Sequence, residues 1–497
     1  MLQLSSKITE VIANIQAELN KSPLYFLVPE SERALGLEDV LGNYFSISAS
    51  TDAVSHYILN QHKGIVIESS KGAASILASE KFLNFVKSIN INNSCYIQFF
   101  KNTDDDAFVE FATKGIESKI LNNSASITRE LENKIKQYEL LVSVIPENLP
   151  LTEITNLGKL NISTLKEKFS HLFTIQMPFG HTGSSTILIT DSKDSETEME
   201  KLNLLISKIP NRECKVAKYI VGHTFTINAC NYRDKTYVAG LSYQYTGISG
   251  LTDVKAATVG NDWDLPEALL SSEQIQEIVN LTQKVGRAIF EHKGFRGLFG
   301  LDIIVEKLTG KIFLLELNPR QTASISIHTK LQLLNDQTPL SLINLCEFLN
   351  IDFSENVDVY SAVGVKKIPA AQLVMRSLTD EDYLLPQTIL KSGIYRQLSD
   401  NSAREIIAEG GGDNVIFLDS AQDRPLIWQN EGYTISDFNQ NGFLLLIKPA
   451  GTNISYNEEI ARVQFNRGLY IMLGDEVKIL PLVKDAFARL RIMLDQS

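Results

Sequence analysis

The sequence predicts an α/β (α+β) protein of about three domains, and three observations support this prediction. First, a chain of 497 residues is too long for a single hydrophobic core. Second, short apolar strands alternate with helical stretches near the start, which is the rhythm of a small, mostly parallel sheet. Third, short strands beyond about residue 345 alternate with Gly and Asn turns, which is typical of a β-rich domain. We therefore expect domains at residues 1–125, 126–345 and 346–497.

Composition narrows the classes of function. The net charge of −12 comes without a basic cluster, so we expect no nucleic-acid partner. No apolar run approaches the length of a membrane-spanning helix, and residues 1–20 are amphipathic rather than continuously apolar like a signal peptide. The four cysteines have no metal-type spacing, which indicates reduced core residues in a cytoplasmic protein.

Three apolar segments of the first domain are predicted strands: residues 24–28, 64–67 and 95–100. No glycine-rich dinucleotide fingerprint follows the first of them, so no cofactor site is predicted there. In the last domain we expect strands at residues 414–418 and 442–447 and a closing helix near 481–494.

The middle domain begins with a predicted helix over residues 126–141, which carries Lys134 and Lys136. Residues 165–240 then indicate a strand, a glycine loop, a second strand, a helix and a third strand. A long helix follows at about 272–292, with Ser271 and Gln274 forming a capping box and Gly294 ending it.

A hairpin follows that helix, with apolar strands at residues 297–306 and 311–318. A turn centred near Thr309 places Asp302 directly opposite Glu316, and Asn318 shares their face of the sheet. Two opposed carboxylates repel each other unless a cation lies between them, and three oxygen donors suit Mg2+. Arg320 extends this face with a guanidinium suited to phosphate or carboxylate. The alternative is an exposed acidic face over an aliphatic core.

Two further segments suit a nucleotide. The loop after residues 174–176 contains Gly180, His181, Thr182, Gly183, Ser184 and Ser185. Its backbone N–H groups can converge on one anion, although a flexible hairpin tip has the same composition. Residues 216–222 indicate an edge-like strand ending in a turn, whose backbone can bind an adenine ring.

In their order along the chain, these elements resemble an ATP-grasp domain over residues 130–325, the fold of biotin carboxylase, D-alanine–D-alanine ligase and many carboxylate–amine ligases. The most specific match is Gly-x-x-Gly-x-Asp302 followed by Leu-Glu316-Leu-Asn318-Pro-Arg320. The resemblance implies that Glu316 bridges two Mg2+ ions, or Mn2+ in their place, with Asp302 and Asn318 each holding one. Arg320 would steady an acyl phosphate or tetrahedral intermediate.

The resemblance also implies a nucleotide site between a larger sheet and a lid subdomain at about residues 165–240. Lys134 resembles the first phosphate-binding lysine, and the loop Gly180 to Thr186 resembles the segment that covers the β- and γ-phosphates. The backbone at Lys218 and Ile220, on either side of Tyr219, would bind adenine. Two positions depart from the family pattern: Gln176 stands where a lysine is usual, and Ala217 where a glutamate is usual.

The activity implied by this resemblance is that of an ATP-dependent carboxylate–amine ligase, which forms an amide through an acyl phosphate and releases ADP and phosphate. Its partners would be a small-molecule carboxylate and amine, such as amino acids or a short peptide, in a homodimer. Thr322 and Ser324 are candidates either for substrate contact or for capping the next turn. The alternatives are a biotin-type or other bicarbonate-using carboxylase, because the flanking domains also resemble that layout, and a non-catalytic ATP-binding regulator.

Overall fold

The structure is a computed structural model, and it describes residues 4–69, 72–89, 92–180, 186–190, 195–254, 257–352, 368–387, 390–397, 415–416, 426–437, 442–473, 476–480 and 491. The central part of the predicted glycine loop, residues 181–185, lies outside these ranges, as does almost all of the predicted helix near 481–494. Within the described ranges, no helix is both long and apolar enough to cross a membrane.

The N-terminal part of the chain forms a five-stranded sheet in the order β3-β2-β1-β4-β5, and every neighbouring pair is parallel. The prediction of a mostly parallel sheet is confirmed. The central strand is buried over Leu24–Val28, because helices cover both faces of such a sheet. The strands are β1 (Leu24–Glu30), β2 (Tyr44–Ser50), β3 (Gly64–Val66), β4 (Ser94–Phe99) and β5 (Glu117–Ile120); the helices are α1 (Ser6–Leu19), α2 (Ser55–Asn60), α3 (Glu80–Ile89) and α4 (Asp105–Ala112).

The helix predicted over residues 126–141 is wrong in one respect, because it is two helices: α5 (Ala125–Glu132) and α6 (Lys134–Leu141). The break falls at Asn133, whose backbone is extended and whose side chain accepts hydrogen bonds from the N–H groups of Ile135 and Lys136. Asparagine is among the best N-cap residues, and here it starts a new helix. Lys134 therefore occupies the first turn of α6.

A four-stranded antiparallel sheet, here called the small sheet, follows α6 in the order β6-β9-β7-β8. The sequence predicted an edge-like strand at residues 216–222; this is wrong, because β9 lies between β6 and β7. The core under the small sheet consists of residues between Leu157 and Val216. The elements are β6 (Thr152–Asn156), α7 (Ile162–Lys168), β7 (Phe173–Gln176), β8 (Thr186–Ile189), α8 (Ser195–Lys208) and β9 (Glu213–Lys218).

Most of the remaining strands build an eleven-stranded antiparallel sheet, here called the large sheet, in the order β14-β13-β10-β11-β12-β15-β22-β20-β17-β19-β18. Because β12 pairs with β15, the sheet continues across the boundary predicted at residue 345. Its strands are β10 (Gly222–Tyr232), β11 (Lys235–Thr246), β12 (Thr258–Asp262), β13 (Gly297–Glu306), β14 (Ile312–Asn318), β15 (Ala371–Arg376), β17 (Gly393–Gln397), β18 (Val415–Ile416), β19 (Leu426–Asn430), β20 (Gly442–Ile447) and β22 (Glu459–Phe465).

Two separate two-stranded sheets and four further α-helices are also described. The helix predicted at 272–292 is confirmed with its reciprocal capping box at Ser271 and Gln274, and Gly294 ends it in the left-handed conformation. The strands are β16 (Tyr383–Leu384) with β21 (Asn453–Ile454), and β23 (Tyr470–Leu473) with β24 (Glu476–Ile479); the helices are α9 (Pro266–Leu269), α10 (Ser272–Lys293), α11 (Ile325–Leu334) and α12 (Leu340–Leu349).

Candidate active site

The hairpin β13–β14 has the predicted register, with Asp302 paired directly with Glu316. Asn318 pairs with Gly300 and lies on the same face, where its Nδ2 donates to Asp302 Oδ2 at 3.2 Å. A bulge follows, so that Ile303 pairs with Leu314. The predicted positions of Asp302, Glu316 and Asn318 on one face of the hairpin are therefore confirmed.

The two glycines of the Gly-x-x-Gly-x-Asp motif allow other segments to pack closely against β13. Gly297 has a φ of +74°, a conformation that other residues adopt only with strain. A Cβ at Gly300 would lie 2.3 Å from Thr322 Cγ2. A side chain at Gly300 would push away the segment that follows Arg320, so the motif links the hairpin to that segment.

Neighbouring strands of the large sheet hold the Asp302 carboxylate in place. Thr226 on β10 pairs with Asp302 across the sheet, and its hydroxyl donates to Oδ1 at 3.3 Å. Gln244 on β11 donates to the same oxygen at 2.6 Å. Burial, together with the nearby charge of Glu316, raises the pKa of Asp302 to about 6, although the hydrogen bonds from Asn318, Gln244 and Thr226 oppose this rise.

Lys134 connects the hairpin to the start of the glycine loop. The residue is only 5% exposed, and its Nζ lies 2.7 Å from Glu316 Oε1 and 3.3 Å from the carbonyl oxygen of Gly180. Its backbone N–H donates to Pro178 O at 2.9 Å. The helix break at Asn133 therefore matters for the site, because it places this lysine between the large sheet and the small sheet.

The small sheet contributes Gln176 at the end of β7, where its Nε2 lies 3.3 Å from Thr186 Oγ1. The register pairs Gln176 with Lys215 on β9. Sequence reasoning missed Lys215. The signal that would have found it is the strand order, since only the pairing of β7 with β9 brings Lys215 beside Gln176.

The pKa of Lys215 responds to charges of the same site. Burial lowers its pKa to about 8, the negative charge of Glu316 opposes that fall, and the positive charge of Lys134 adds to it. Glu316 belongs to the hairpin and Lys134 to α6, and the strand that carries Lys215 contacts α6.

The segment from Lys218 to Val221 joins the small sheet to β10. Ile220 is buried against Ile304 and Phe313 of the hairpin, whereas Tyr219 is partly exposed. The N–H of Tyr219 donates to Leu172 O at 3.1 Å and is therefore already used within the protein. The Lys218 side chain extends outward, 4.0 Å from Glu306. The structure thus places the predicted adenine-binding segment beside the hairpin, and its role stays a prediction.

Arg320 lies where the hairpin meets the N-terminal part of the chain. One NH group donates to Asn318 Oδ1 at 3.3 Å, and Nε lies 3.5 Å from Glu132 Oε1. The guanidinium also lies over the Phe100 ring, 5.8 Å from its centroid. These contacts fix a cation next to the carboxylate face.

Thr322 and Ser324 are buried and bind Asn228 of β10. Thr322 Oγ1 donates to Asn228 Oδ1 at 2.7 Å, and Ser324 Oγ accepts from Asn228 Nδ2 at 3.2 Å. Ser324 precedes α11, but its side chain makes no capping hydrogen bond. The capping interpretation is therefore wrong for Ser324, and the role of both residues in substrate contact stays a prediction.

Five residues predicted to bind phosphate lie outside the described ranges: His181, Thr182, Gly183, Ser184 and Ser185. Their roles stay predictions. Gly180, the first residue of the loop, is described and is held next to Lys134.

No family model and no curated protein matches this chain. Solved structures do. The biotin carboxylase domain dimer of Hydrogenobacter thermophilus 2-oxoglutarate carboxylase, solved with MgADP, ADP and bicarbonate, aligns over 89% of this chain and 85% of its own, with a TM-score of 0.54 and 11% identity.

Two enzymes of another kind also align. N5-carboxyaminoimidazole synthetase from Staphylococcus aureus with ADP covers 94% of this chain and 96% of its own at a TM-score of 0.50 and 11% identity. The Aspergillus clavatus synthase with ADP and 5-aminoimidazole ribonucleotide covers 96% and 99% at 0.50 and 12%. The chain has an ATP-grasp fold. At such low identity the ATP-grasp likeness establishes architecture and not activity.

The donor set on this face of the hairpin fits Mg2+. Asp302, Glu316 and Asn318 present carboxylate and amide oxygens on one face, and Mg2+ prefers such hard donors. Burial and the nearby charge of Glu316 both raise the pKa of Asp302 and so disfavour its charged form. A divalent cation beside the two carboxylates would favour their charged forms.

Proposed function

We propose that this protein is an ATP-dependent carboxylate–amine ligase that forms an amide or peptide bond and releases ADP and phosphate. One observation gives the main support for the proposal. The Lys134 ammonium lies 2.7 Å from Glu316, on the face that also bears Asp302 and Asn318, within an ATP-grasp fold. A cation suited to phosphate oxygens thus adjoins three ligands suited to Mg2+.

The proposed reaction has two steps. A carboxylate oxygen attacks the γ-phosphorus of ATP, the bond from that phosphorus to the bridging oxygen breaks, and ADP leaves. An amine then attacks the acyl carbon, phosphate leaves with the bonding pair, and the amine proton passes to solvent or base. Such chemistry depends on positioning and charge stabilisation and needs no nucleophile on the enzyme.

Each residue has a place in this scheme. Asp302, Glu316 and Asn318 would hold Mg2+, which when bound offsets negative charge on the transferring phosphoryl group. Lys134 would bind phosphate oxygens, and Gly180 would begin the loop that covers them. Arg320, whose charge is fixed beside Asn318, would bind the acyl phosphate. The backbone around Tyr219 would bind adenine.

A bicarbonate-using carboxylase is the second candidate, and the comparisons favour it in one respect. One structural neighbour is described with bicarbonate bound, and two others are N5-carboxyaminoimidazole synthetases. Bicarbonate is itself a carboxylate, so the first step is shared and only the substrate differs. The paired basic residues expected for bicarbonate and biotin near the lid were not found in the sequence, so amide formation ranks first.

The test is ADP release from the full chain with ATP and MgCl2. Amino acids are supplied singly and in pairs, alongside short peptides and bicarbonate with simple amines; MnCl2 replaces MgCl2 in a parallel series. We expect ADP release that needs one carboxylate and one amine together, with an amide product of matching mass and no reaction in EDTA. Bicarbonate-dependent release would establish the carboxylase instead. ATP binding without release across the whole panel would identify a regulator and exclude both ligase reactions.

A homodimer and a cytoplasmic location remain predictions. The homodimer is tested by light scattering of the full chain, where a mass near the monomer value of 55.5 kDa would exclude it.

A further inference from the structure

A charge is absent from one strand of the candidate site and present on its neighbour. At Gln176, the chain carries a neutral amide, whereas the ATP-grasp proteins that it resembles usually have a lysine at this position. Across β7 and β9, however, Gln176 pairs with Lys215. Side chains directly opposite each other in an antiparallel pair have Cβ atoms about 5 Å apart. A lysine side chain is long enough to bridge that separation, so an ammonium on β9 reaches the space that one on β7 would occupy.

The alternation of β9 decides which way Lys215 points. Its neighbours Cys214 and Val216 are fully buried in the core of the small sheet. Ile175, which precedes Gln176 on β7, is buried in the same core and pairs with Val216. Successive side chains of a strand point to opposite faces, so Lys215 and Gln176 both point away from this core.

Charged groups of α6 and of the hairpin act on Lys215. β9 contacts α6, the helix that begins with Lys134. The charges of Lys134 and of Glu316 both act on Lys215. Lys134 is itself bonded to Glu316 at 2.7 Å. Two lysines from different elements therefore interact electrostatically with one carboxylate of the proposed metal site.

Burial makes this arrangement costly unless an anion is bound. Desolvation disfavours the charged ammonium of Lys215, and the neighbouring ammonium of Lys134 adds repulsion. Glu316 offsets part of that cost for both lysines. The phosphates of a nucleotide would supply the negative charge that the buried Lys134 and the half-buried Lys215 require.

We infer that Lys215 is a phosphate-binding residue of this protein: it supplies from β9 the cation that Gln176 does not supply from β7, so that Lys134 and Lys215 hold the ATP phosphates between them. The inference rests on the proposed function, since it concerns the same nucleotide. Gln176 then acts as a neutral hydrogen-bond donor beside the phosphates.

The experiment compares four variants of the full chain: Lys215→Gln, Gln176→Lys, the double variant Q176K/K215Q, and Lys159→Gln. Lys159 is an exposed lysine of the same part of the chain and gives a matched loss of charge. Isothermal titration with MgADP and, separately, with adenosine measures binding. Adenosine lacks phosphates, so the ratio of the two affinities isolates the phosphate contribution. Circular dichroism and thermal melting establish that each variant is folded.

We expect Lys215→Gln to weaken MgADP binding by about 10- to 100-fold, as expected for a hydrogen bond to a charged group, and to leave adenosine binding unchanged. The double variant should return to within about 3-fold of the wild type, because the lysine moves to the paired position. Gln176→Lys alone should bind MgADP as well as the wild type or more tightly. Lys159→Gln should bind both ligands like the wild type.

Three outcomes would overturn the inference, and they are distinguishable. If the wild type binds neither MgADP nor adenosine, the proposed function fails and the inference fails with it. If the wild type binds MgADP and Lys215→Gln binds it equally well, the inference alone fails. If Lys215→Gln loses both ligands in proportion, melts earlier and is not rescued by Gln176→Lys, then Lys215 has a structural role beside Glu316.

Discussion

The hairpin β13–β14 and the small sheet both contribute to the candidate site, but they assemble their polar groups differently. In the hairpin, Asp302, Glu316 and Asn318 are near one another in sequence, and a tight turn brings them together. In the small sheet, Gln176 and Lys215 belong to strands separated by β8 and α8, and only the strand order unites them. A local pairing can be inferred from spacing, whereas a non-local pairing requires knowledge of the topology.

The cores behind the two regions differ as well. The small sheet packs on a cluster whose residues all lie between Leu157 and Val216. The hairpin packs on a cluster that also includes β10, β11, α6 and α10. We therefore expect the small sheet to open as a local unit and the hairpin to open only with the large sheet. Four predictions test this comparison, from the largest expected effect to the smallest.

The largest effect is expected on the hairpin side, at Glu316. In Glu316→Gln, ATP turnover should fall at least about 10⁴-fold, equivalent to about 5 kcal/mol of transition-state stabilisation, because a central metal ligand loses its charge. ADP release under saturating substrates measures this. The fold should persist, as circular dichroism would show. Glu277→Gln, on the exposed face of α10, is the matched control and should retain full activity. Near-normal turnover in Glu316→Gln would refute the metal assignment.

Phe173→Ala and Phe299→Ala test whether the two regions open independently. Both rings are buried, and each truncation should cost about 4 kcal/mol through lost burial and a cavity. In Phe173→Ala, faster amide hydrogen exchange should be confined to residues 152–218, by about 10³-fold. In Phe299→Ala, protection should fall across the large sheet. Uniform loss of protection in both variants would mean that the molecule opens as one unit.

His328 gives the large-sheet side a pH dependence that the small sheet should not share. Its ring lies between Asn228 and Trp263, and burial lowers its pKa to about 4. The stabilisation from keeping it neutral is fully present above about pH 6.5. It is lost as pH falls towards 4, since only the unfolded state takes up the proton, and it amounts to at most about 3 kcal/mol.

Urea unfolding of the wild type and of His328→Gln between pH 4 and pH 7.5 measures that loss. The free energy of unfolding should fall less steeply with acid in His328→Gln, because the carboxylate contributions are common to both proteins. Identical slopes would show that His328 is not buried in its neutral form.

The smallest effect is expected at Ser271, which caps the helix beneath the hairpin. Ser271→Ala removes the hydroxyl that accepts from the N–H of Gln274, and it should cost about 1 kcal/mol. Thermal melting would record a small decrease, while exchange of residues 152–218 should not change. Ser271→Asp, which keeps an oxygen acceptor at the cap, should restore the stability. A loss of protection in the small sheet would contradict the separation of the two cores.

The same contrast explains how much could be predicted from the sequence. The pairing of Asp302 with Glu316 followed from a turn near Thr309 and from the two-residue period of strands. The cap at Ser271 followed from a short local pattern. The helix break at Asn133 could also have been predicted from local rules, because asparagine is a favourable N-cap residue. It was missed because the sequence on both sides of Asn133 has a helical pattern.

What local reasoning could not supply was the arrangement of strands. β9 is an interior strand because β6 and β7 pair with it on either side. The residue types at positions 213–218 do not indicate that this strand has two neighbours. For that reason the sequence predicted an edge strand. With Gln176 in place of a lysine, the sequence also suggested that the nucleotide-binding part of the site lacks one positive charge. Lys215 could be recognised only after the topology was known.

The pairing of β12 with β15 has a practical consequence for anyone who expresses parts of this protein. A fragment that stops at residue 345 would leave the backbone groups of β12 unpaired along a newly exposed edge. The complementary fragment would do the same at β15. Bare sheet edges bind to one another, so both fragments should precipitate or form mixed aggregates, whereas the intact chain keeps the two strands paired within one molecule.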